Sequence, residues 1–259
     1  MLELNRIHCG DNCDLLGQMP RECVDLVVTS PPYDDLRTYG GHSWDFFGVA
    51  WQLKRVLKPG GVIVWVVADA TKDGSETGSS FEQALHFKRL GLNLHDTMIW
   101  HKGGFTGVGS LQCRYGPSTE FMFVFSDGRP KTFNAIKDRK NIHEGASGKA
   151  ATVRLPSGEK IRKTHEALPL GEFGIRFNVW QIPPQQNELH PAPFPDNLAR
   201  DHIATWSNPG DLVLDPFSGS GTTAKAAKTL GRQFIGLEVN PEYCRIAEQR
   251  IAQEVLALA

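Results

Sequence analysis

The sequence contains no apolar stretch long enough to cross a lipid bilayer. Its longest unbroken apolar run covers residues 62–68, whereas a membrane-spanning helix needs roughly 20 such residues. The first twelve residues, MLELNRIHCGDN, also lack the apolar centre of a secretory signal. These two absences argue against a membrane partner and predict a cytoplasmic protein.

Cysteine is scarce, and its placement argues against both disulfides and a metal. The 259 residues include five cysteines, an odd number that favours reduced thiols over a disulfide framework. His8, Cys9 and Cys13 lie close together, but no second pair of Cys or His follows at the spacing of a zinc site. We therefore predict no bound metal.

A large charge excess of either sign is also missing, since the net charge is -1. That balance hides an uneven distribution, because residues 127–176 contain eleven Lys and Arg against six Asp and Glu. The rest of the chain contains 17 basic against 23 acidic side chains. A basic segment of this kind indicates a polyanionic partner, although a solvated loop explains the charge equally well.

The sequence does contain the alternation of buried strands and amphipathic helices that is typical of α/β proteins. Strands are predicted at residues 25–28, 62–67, 94–100, 121–125, 212–214 and 234–237, and helices at 44–57, 80–90, 195–206, 222–230 and from Asn240 onward. The segment Lys58-Pro-Gly-Gly61 is expected to end the first of these helices. This order predicts an α/β fold with an open, mostly parallel, twisted sheet and helices on both faces.

The alternation is interrupted in the middle of the chain. From residue 127 to residue 178 the hydrophobic periodicity weakens and Lys, Arg, Gly and Ser become frequent. We interpret this stretch as an inserted module or a long ordered loop region. The predicted organisation is therefore residues 1–126, an insertion at residues 127–178, and residues 179–259.

The first motif with chemical meaning is Asp215-Pro-Phe-Ser-Gly-Ser-Gly-Thr-Thr223, between a predicted strand and a predicted helix. Gly219 and Gly221 have no Cβ, so the backbone can turn tightly and a ligand can approach it closely. Glu238 ends the next strand, where a carboxylate commonly binds ribose hydroxyls in this architecture. The motif predicts a nucleoside-cofactor site, and the alternative is a tight strand–helix turn without a ligand.

The second motif is Thr29-Ser-Pro-Pro-Tyr33, directly after the first predicted strand. Two prolines fix the backbone at the edge of the sheet where α/β proteins place active sites. The Ser30 hydroxyl and the Pro31 carbonyl can both accept hydrogen bonds from one amino group, and Tyr33 offers a ring on which a base can stack. The alternative is a turn stiffened by proline.

Two other nucleotide-binding patterns fit poorly. A phosphate-binding loop is disfavoured because Gly148-Lys149 is followed by Ala150, and His143 stands where that motif has its first glycine. A nicotinamide-dependent oxidoreductase shares the glycine turn and the ribose-binding acid. The third glycine of its fingerprint is missing here, however, and such an enzyme would leave Ser30 to Tyr33 unexplained.

Together the two motifs resemble those of the DNA amino-methyltransferases that use S-adenosylmethionine. That family carries a catalytic Ser/Asp/Asn-Pro-Pro-Tyr tetrapeptide and a cofactor loop of the form Asp-Pro-Phe-x-Gly-Ser-Gly-Thr-Thr. Here the catalytic motif precedes the cofactor motif, with a recognition region expected between them, which is similar to the order of the beta class. The resemblance extends to Gly10-Asp11 and to His190-Pro-Ala-Pro-Phe-Pro195. It implies a Rossmann-like methyltransferase fold in which residues 127–178 form an inserted target-recognition region.

The resemblance also implies roles for individual residues. The catalytic set would be Ser30, Pro31, Pro32 and Tyr33. The S-adenosylmethionine site would comprise Asp11, His190, Phe194, Asp215, Pro216, Phe217, Gly219, Ser220, Gly221, Thr222 and Glu238. The basic side chains Arg154, Lys160, Arg162 and Lys163 are the candidates for contacts with DNA phosphates.

The chemistry of such a family suits these residues. An exocyclic amine is a weak nucleophile, and hydrogen bonds accepted by Ser30 and the Pro31 carbonyl would expose its lone pair for attack on a sulfonium methyl group. The base must leave the duplex to reach the site. None of the cysteines follows a proline, whereas cytosine-C5 enzymes present their nucleophile in a Pro-Cys dipeptide.

Ser30 predicts cytosine N4 as the methylated atom, because the family's N6-adenine members more often carry Asp at that position. The alternatives left open are adenine N6, a DNA-binding module without catalysis, and amino groups of protein or RNA, although Ser30 and the inserted basic region favour DNA. The expected partner is double-stranded DNA, with a cognate restriction endonuclease and a homodimer as further candidates.

Overall fold

The computed structural model describes residues 2–32, 44–104, 113–142, 150–164, 171–185 and 195–253. Within these ranges, no helix combines the length and the apolar character needed to span a membrane. The strands are β1 (Arg6–Cys9), β2 (Val24–Thr29), β3 (Leu57–Val67), β4 (Thr71–Lys72), β5 (Ser75–Glu76), β6 (Asn93–His101), β7 (Thr119–Ser126), β8 (Lys137–Lys140), β9 (Ala150–Arg154), β10 (Lys160–Thr164), β11 (Phe173–Ile175), β12 (Val179–Gln181), β13 (Leu212–Asp215) and β14 (Gln233–Glu238).

Eight of these strands form one large sheet in the order β1-β14-β13-β2-β3-β7-β6-β12. Strand β7 runs antiparallel to its neighbours β3 and β6, and the other described pairs of this sheet are parallel. The mostly parallel sheet predicted from the sequence is therefore confirmed.

The helices are α1 (Asn12–Gly17), α2 (Phe46–Val56), α3 (Ser79–Arg89), α4 (Asp196–Trp206), α5 (Thr222–Thr229) and α6 (Pro241–Ala252). Asp45 caps α2 by accepting a hydrogen bond from the Phe47 amide at 3.0 Å. Asn240 caps α6, which has Pro241 in its first turn as the Asn-Pro pair predicts. Local sequence signals thus mark where α2 and α6 begin.

The central strands are buried on both sides, which explains their nearly continuous apolar sequences. All six residues of β2 are buried. On one face Val27 and Ile63 join a core with Leu53 of α2 and Phe87 of α3. On the other face, residues of α4 and α5 contact the sheet, as in the 3.3 Å approach of His202 Nε2 to the Met122 sulfur. Helices therefore cover both faces, as predicted.

The strand order contains one topological switch point. From β13 the chain passes through α5 to β14 on one side, and from β2 it passes through α2 to β3 on the other side. In open α/β sheets, ligands bind in the crevice at the carboxyl ends of the two strands where the order reverses. In this protein those two strands are β2 and β13.

The chain divides into two compact units, Met1–Asn134 with Asn178–Ala259, and Ala135–Phe177. The smaller unit contains two short antiparallel pairs, β8 with β11 and β9 with β10. The weak periodicity of this region reflects these short, largely exposed strands.

Several features of the fold differ from the sequence-based interpretation, among them the short strands β4, β5 and β12, which were not predicted. Strand β1 and helix α1 at the start of the chain were not predicted, because each has six residues or fewer. The segment Lys58-Pro-Gly-Gly61 does not form a separate break. Helix α2 ends at Val56 and the chain enters β3 directly at Leu57.

Candidate active site

The two sequence motifs meet at the switch point through a buried hydrogen bond. Asp215 ends β13 and Thr29 ends β2. The Thr29 hydroxyl donates to Asp215 Oδ1 at 2.7 Å, and the Phe217 amide donates to the same oxygen at 3.1 Å. The start of the glycine loop is therefore fixed to the strand that leads into Ser30.

Burial dominates the electrostatics of Asp215. Desolvation raises the pKa of its carboxyl to about 6, against the lowering effect of the hydrogen bonds from Thr29, Phe217 and Thr223. The nearby negative charge of Glu238 contributes in the same direction as burial. A carboxylate held in this way is poorly compensated by the protein alone, so a cationic ligand group beside it would be strongly favoured.

The glycine turn has the conformation that the motif requires. Gly219 and Gly221 have φ angles of +50° and +80°, in the left-handed region that side chains with a Cβ rarely adopt. A Cβ on Gly221 would also lie 2.8 Å from the Cβ of Ala247 in α6. The turn therefore brings the start of α5 closer to α6 than any larger residue would allow.

Glu238, at the end of β14, binds the glycine loop from the side. Its Oε2 accepts a hydrogen bond from the Gly219 amide at 2.8 Å, and its Oε1 accepts one from the Asn240 amide at 2.8 Å. The carboxylate is thus held in one orientation at the edge of the turn.

Asp11 lies at the next strand end along the sheet. It follows β1 and Gly10, and the Gly10 amide donates to the Glu238 carbonyl at 2.9 Å. Asp11 caps α1 by accepting from the Asp14 amide at 3.1 Å, and its side chain is exposed. Asn12 reaches the Pro216 carbonyl at 3.4 Å. These contacts connect the strand ends of β1, β14 and β13.

Ser30 and Pro31 are placed at the end of β2, and Pro32 follows them. Ser30 is half-buried and Pro31 is buried. Tyr33, His190 and Phe194, which the sequence analysis placed in the same site, lie outside the described residues. Their predicted roles therefore remain predictions.

Two side chains that support the glycine loop were missed by the sequence analysis. Arg250 of α6 donates from Nη1 to the Ser220 carbonyl and to the Ser220 hydroxyl, both at 2.7 Å, and lies 3.4 Å from the Thr222 hydroxyl. Trp44 packs edge-on against Phe217, with ring centroids 4.8 Å apart. Neither residue belongs to a recognisable motif, so only the folded arrangement identifies them.

The predicted phosphate-binding residues lie in the smaller unit. Arg154 of β9 is directly opposite Lys160 of β10, and both side chains are exposed. Like charges directly opposite each other on a strand pair are destabilising unless an anion lies between or beside them. Arg162 and Lys163 belong to β10, but the positions of their side chains are outside the described structure.

The arrangement at the switch point fits S-adenosylmethionine by the chemistry of its side chains. The buried carboxylate of Asp215 suits an ammonium group, the oriented carboxylate of Glu238 suits vicinal hydroxyls, and Phe217 provides an aromatic surface. The described residues contain no cluster of His, Cys, Asp and Glu that could hold a metal ion.

Fold and site together define a class: a Rossmann-like methyltransferase with a glycine-rich loop at the switch point of a mostly parallel sheet. Within that class the chain belongs to the DNA methylase family of N6- and N4-methyltransferases, whose family model matches residues 24–249. The protein is therefore an S-adenosylmethionine-dependent DNA methyltransferase that acts on exocyclic amines.

Individual relatives agree with this assignment. The chain is 52% identical over 242 residues to the orphan methyltransferase M.BamHII of Bacillus amyloliquefaciens, covering 90% of each protein. It is 28% identical to the DNA adenine methyltransferase YhdJ of Escherichia coli, covering 96% of this chain and 83% of that protein. Among solved structures, a DNA modification methylase of Thermus thermophilus in complex with S-adenosyl-L-methionine matches with a TM-score of 0.64 and 27% identity, covering 97% and 96% of the two chains.

Proposed function

We propose that the protein methylates the exocyclic N4 amine of a flipped cytosine at a specific site in double-stranded DNA. The observation that carries this proposal is the Thr29–Asp215 hydrogen bond, which places the Ser30-Pro31 segment beside the glycine loop. Ser30, rather than an aspartate, favours cytosine as the base.

The catalytic step is assigned to the residues after β2. The Ser30 hydroxyl oxygen and the Pro31 carbonyl oxygen each accept one hydrogen bond from the amine. Both bonds favour a pyramidal nitrogen whose lone pair points away from the ring and towards the cofactor side of the crevice. Tyr33 stacks on the extruded base and holds it in that orientation. Catalysis then depends on positioning, and no covalent bond to the enzyme is needed.

The cofactor residues are assigned from the resemblance to the amino-methyltransferases, and the contacts of Asp215 and Glu238 support that assignment. S-adenosylmethionine supplies an electrophilic methyl group bonded to a sulfonium. Asp215 binds the amino end of its methionine portion, Glu238 binds the ribose hydroxyls, and Asp11 contacts the adenine. Pro216, Phe217, Gly219, Ser220, Gly221 and Thr222 form the loop around them, and His190 and Phe194 close the pocket.

Residues 127–178 are assigned to target recognition. In this assignment Arg154, Lys160, Arg162 and Lys163 contact DNA phosphates, and the opposed pair Arg154–Lys160 supports that role because it lacks a counter-charge across the strand pair. An orphan methyltransferase as a relative favours an enzyme that works without a cognate restriction endonuclease.

Adenine N6 is the second candidate for the methylated atom. It is favoured by the relative named as a DNA adenine methyltransferase. The same fold, cofactor and hydrogen-bonding chemistry would serve either amine, so the two candidates differ only in the base that Ser30 and Tyr33 accept.

Nucleoside mass spectrometry distinguishes these candidates. DNA from cells that express the wild-type protein is digested and compared with DNA from cells that express Ser30→Ala. N4-methylcytosine that appears only with the wild type is the expected result, whereas N6-methyladenine would overturn the assignment of the base. Binding of S-adenosylmethionine by the purified variant, unchanged from wild type, controls for folding.

A further inference from the structure

The smaller unit contains an exposed surface, the strand pair β8–β11, that carries aromatic and basic side chains on its two faces. Strand β8 pairs antiparallel with β11, so that Phe173 lies opposite Lys140 and Gly174 lies opposite Arg139. Phe173 and Phe177 remain 46% and 67% exposed, although both are aromatic. Residues 135–177 contain nine Lys and Arg against five Asp and Glu, a net charge of +4. This surface suits a large polyanion that also offers flat groups for stacking.

Arg139 is held in a single orientation on this surface. Its Nε donates to the Ile175 carbonyl at 3.0 Å, and its guanidinium carbon lies 4.6 Å from the centre of the Phe177 ring. No other described residue accepts a hydrogen bond from the two terminal nitrogens, Nη1 and Nη2. The hydrogen bond and the ring contact thus orient the planar fork, and within the described residues its outer donors are not used.

Gly174 is the reason that the guanidinium can lie flat across β11. A Cβ on Gly174 would be 2.3 Å from Arg139 Nη2, which no side chain could tolerate without displacing the guanidinium. Gly174 has no positive φ angle, so its backbone conformation does not by itself require glycine. The space at this position accommodates the Arg139 guanidinium together with Asn141 Oδ1, which would lie 2.8 Å from the same Cβ.

The neighbouring acid does not neutralise Arg139. Asp138 is bound by Arg176, whose Nε lies 3.1 Å and 3.0 Å from the two carboxylate oxygens and whose Nη2 also contacts Oδ2. The hydrogen bonds from Arg176 lower the pKa of Asp138, so this carboxyl stays ionised and paired. One arginine of this sheet is thus used internally, and the other is left for a ligand.

We propose that Arg139 reads one guanine of the recognition sequence, its terminal nitrogens donating to O6 and N7 in the major groove. Arginine bound to these two acceptors is the commonest base-specific contact in protein–DNA complexes, and a prealigned planar fork matches their geometry. Lys137 and Lys140, on the same strand, contact phosphates. The inference rests on DNA as the substrate, and it names a residue that specifies the sequence.

The test begins with the methylated motif. Single-molecule sequencing of DNA from cells that express the wild-type enzyme identifies the recognition sequence, and the same is done for Arg139→Gln and Lys140→Gln. We expect Arg139→Gln to accept other bases at one guanine position. The Lys140→Gln variant should methylate the same motif, and the magnitude of its slope of log affinity against log salt concentration should decrease by about 1.

Chemical substitution in the DNA makes the test specific to the atoms involved. Replacing the guanine by 7-deazaguanine removes the N7 acceptor. The wild-type enzyme should then bind the duplex on the order of 10-fold more weakly, whereas Arg139→Gln should show no further loss. A wild type that tolerates 7-deazaguanine at every guanine of the motif would overturn the proposal, as would a motif without guanine.

Gly174→Ala provides a variant that retains the arginine. The added methyl group should push the flexible end of Arg139 off the strand and reproduce the loss of discrimination without changing the salt slope. Gly171→Ala is the matched control, because its Cβ would have no neighbour closer than 4.0 Å among the described residues. If Arg139→Gln keeps the motif and lowers the salt slope, Arg139 is a phosphate contact and the proposal is wrong. A motif methylated at adenine would contradict the cytosine assignment only, and the test of Arg139 would stand.

Discussion

The Thr29 hydroxyl donates a 2.7 Å hydrogen bond to Asp215, although 186 residues separate the two in the sequence. Both side chains are buried, and each ends one of the two strands that flank the switch point. The bond therefore couples the segment that carries Ser30 to the loop assigned to the cofactor. Loss of this contact should affect cofactor binding and stability together.

Replacing Thr29 by valine tests that coupling. Valine keeps the shape of threonine but leaves the buried Asp215 carboxylate with one donor fewer, so the free energy of unfolding should fall by about 1–3 kcal/mol. The affinity for S-adenosylmethionine should fall as well. Urea unfolding and calorimetric titration measure the two effects.

The control for this variant is Thr205→Val. Thr205 is buried in α4 and donates to the Asp201 carbonyl within its own helix, so its loss should leave cofactor affinity unchanged. If Thr29→Val and Thr205→Val behave alike, the hydrogen bond to Asp215 has no special role.

The pKa of Asp215 predicts how cofactor affinity depends on pH. Burial raises this pKa to about 6, so the carboxyl is largely neutral at pH 5 and ionised at pH 7. Because only the ionised form attracts an ammonium group, affinity for S-adenosylmethionine should rise between pH 5 and pH 7. Calorimetric titrations across this range should show the rise for wild type and a flat profile for Asp215→Asn. The same slope in both proteins would remove Asp215 from the binding site.

Asp215 should also make the unliganded protein less stable as the pH rises. A carboxyl whose folded pKa lies above its unfolded value of 3.8 contributes most stability below pH 3.8 and loses it as the pH passes through 6. The difference corresponds to about 3 kcal/mol. The free energy of unfolding of Asp215→Asn minus that of the wild type should therefore increase by about 3 kcal/mol between pH 4 and pH 7. Urea unfolding without cofactor measures this difference. A difference that does not change with pH would contradict the prediction.

The sequence predicted the fold well because its strands and helices carry strong local signals. Apolar runs mark β2 and β3, and the Asn240-Pro241 pair marks the start of α6. The hydrogen bond from Thr29 to Asp215 and the role of Arg250 were missed for a physical reason. Both depend on contacts with a distant part of the chain, and such contacts leave no periodic or composition signal.

Arg250 should act on the cofactor site through the loop it binds. Its hydrogen bonds to Ser220 fix the backbone of the glycine turn, so Arg250→Met should raise the Kd for S-adenosylmethionine by roughly 10-fold, the equivalent of one charged hydrogen bond. Arg250→Lys keeps one donor and should recover part of the affinity.

Arg245→Met, on the exposed side of the same helix, is the control and should bind the cofactor normally. DNA affinity measured without cofactor separates a local effect from general damage, because it should be unchanged in all three variants. A loss of DNA affinity parallel to the loss of cofactor affinity would mean that Arg250 supports the whole fold rather than the loop.

Gly221→Ala should destabilise the protein in two ways, through backbone strain and through a steric clash. The same substitution at Gly231 measures the backbone strain alone. Gly221 and Gly231 both have left-handed backbones, with φ angles of +80° and +72°, and alanine in that conformation costs about 1 kcal/mol. Only at Gly221 would the new Cβ meet the backbone and side chain of Ala247, whereas at Gly231 it would have no neighbour within 4 Å. Gly221→Ala should therefore lose about 1–3 kcal/mol more stability than Gly231→Ala, since α6 must move to make room. Because that movement shifts the turn that holds Ser220, only Gly221→Ala should also bind S-adenosylmethionine more weakly. Equal losses of stability in the two variants would show that α6 accommodates the methyl group freely and that the close approach is not needed.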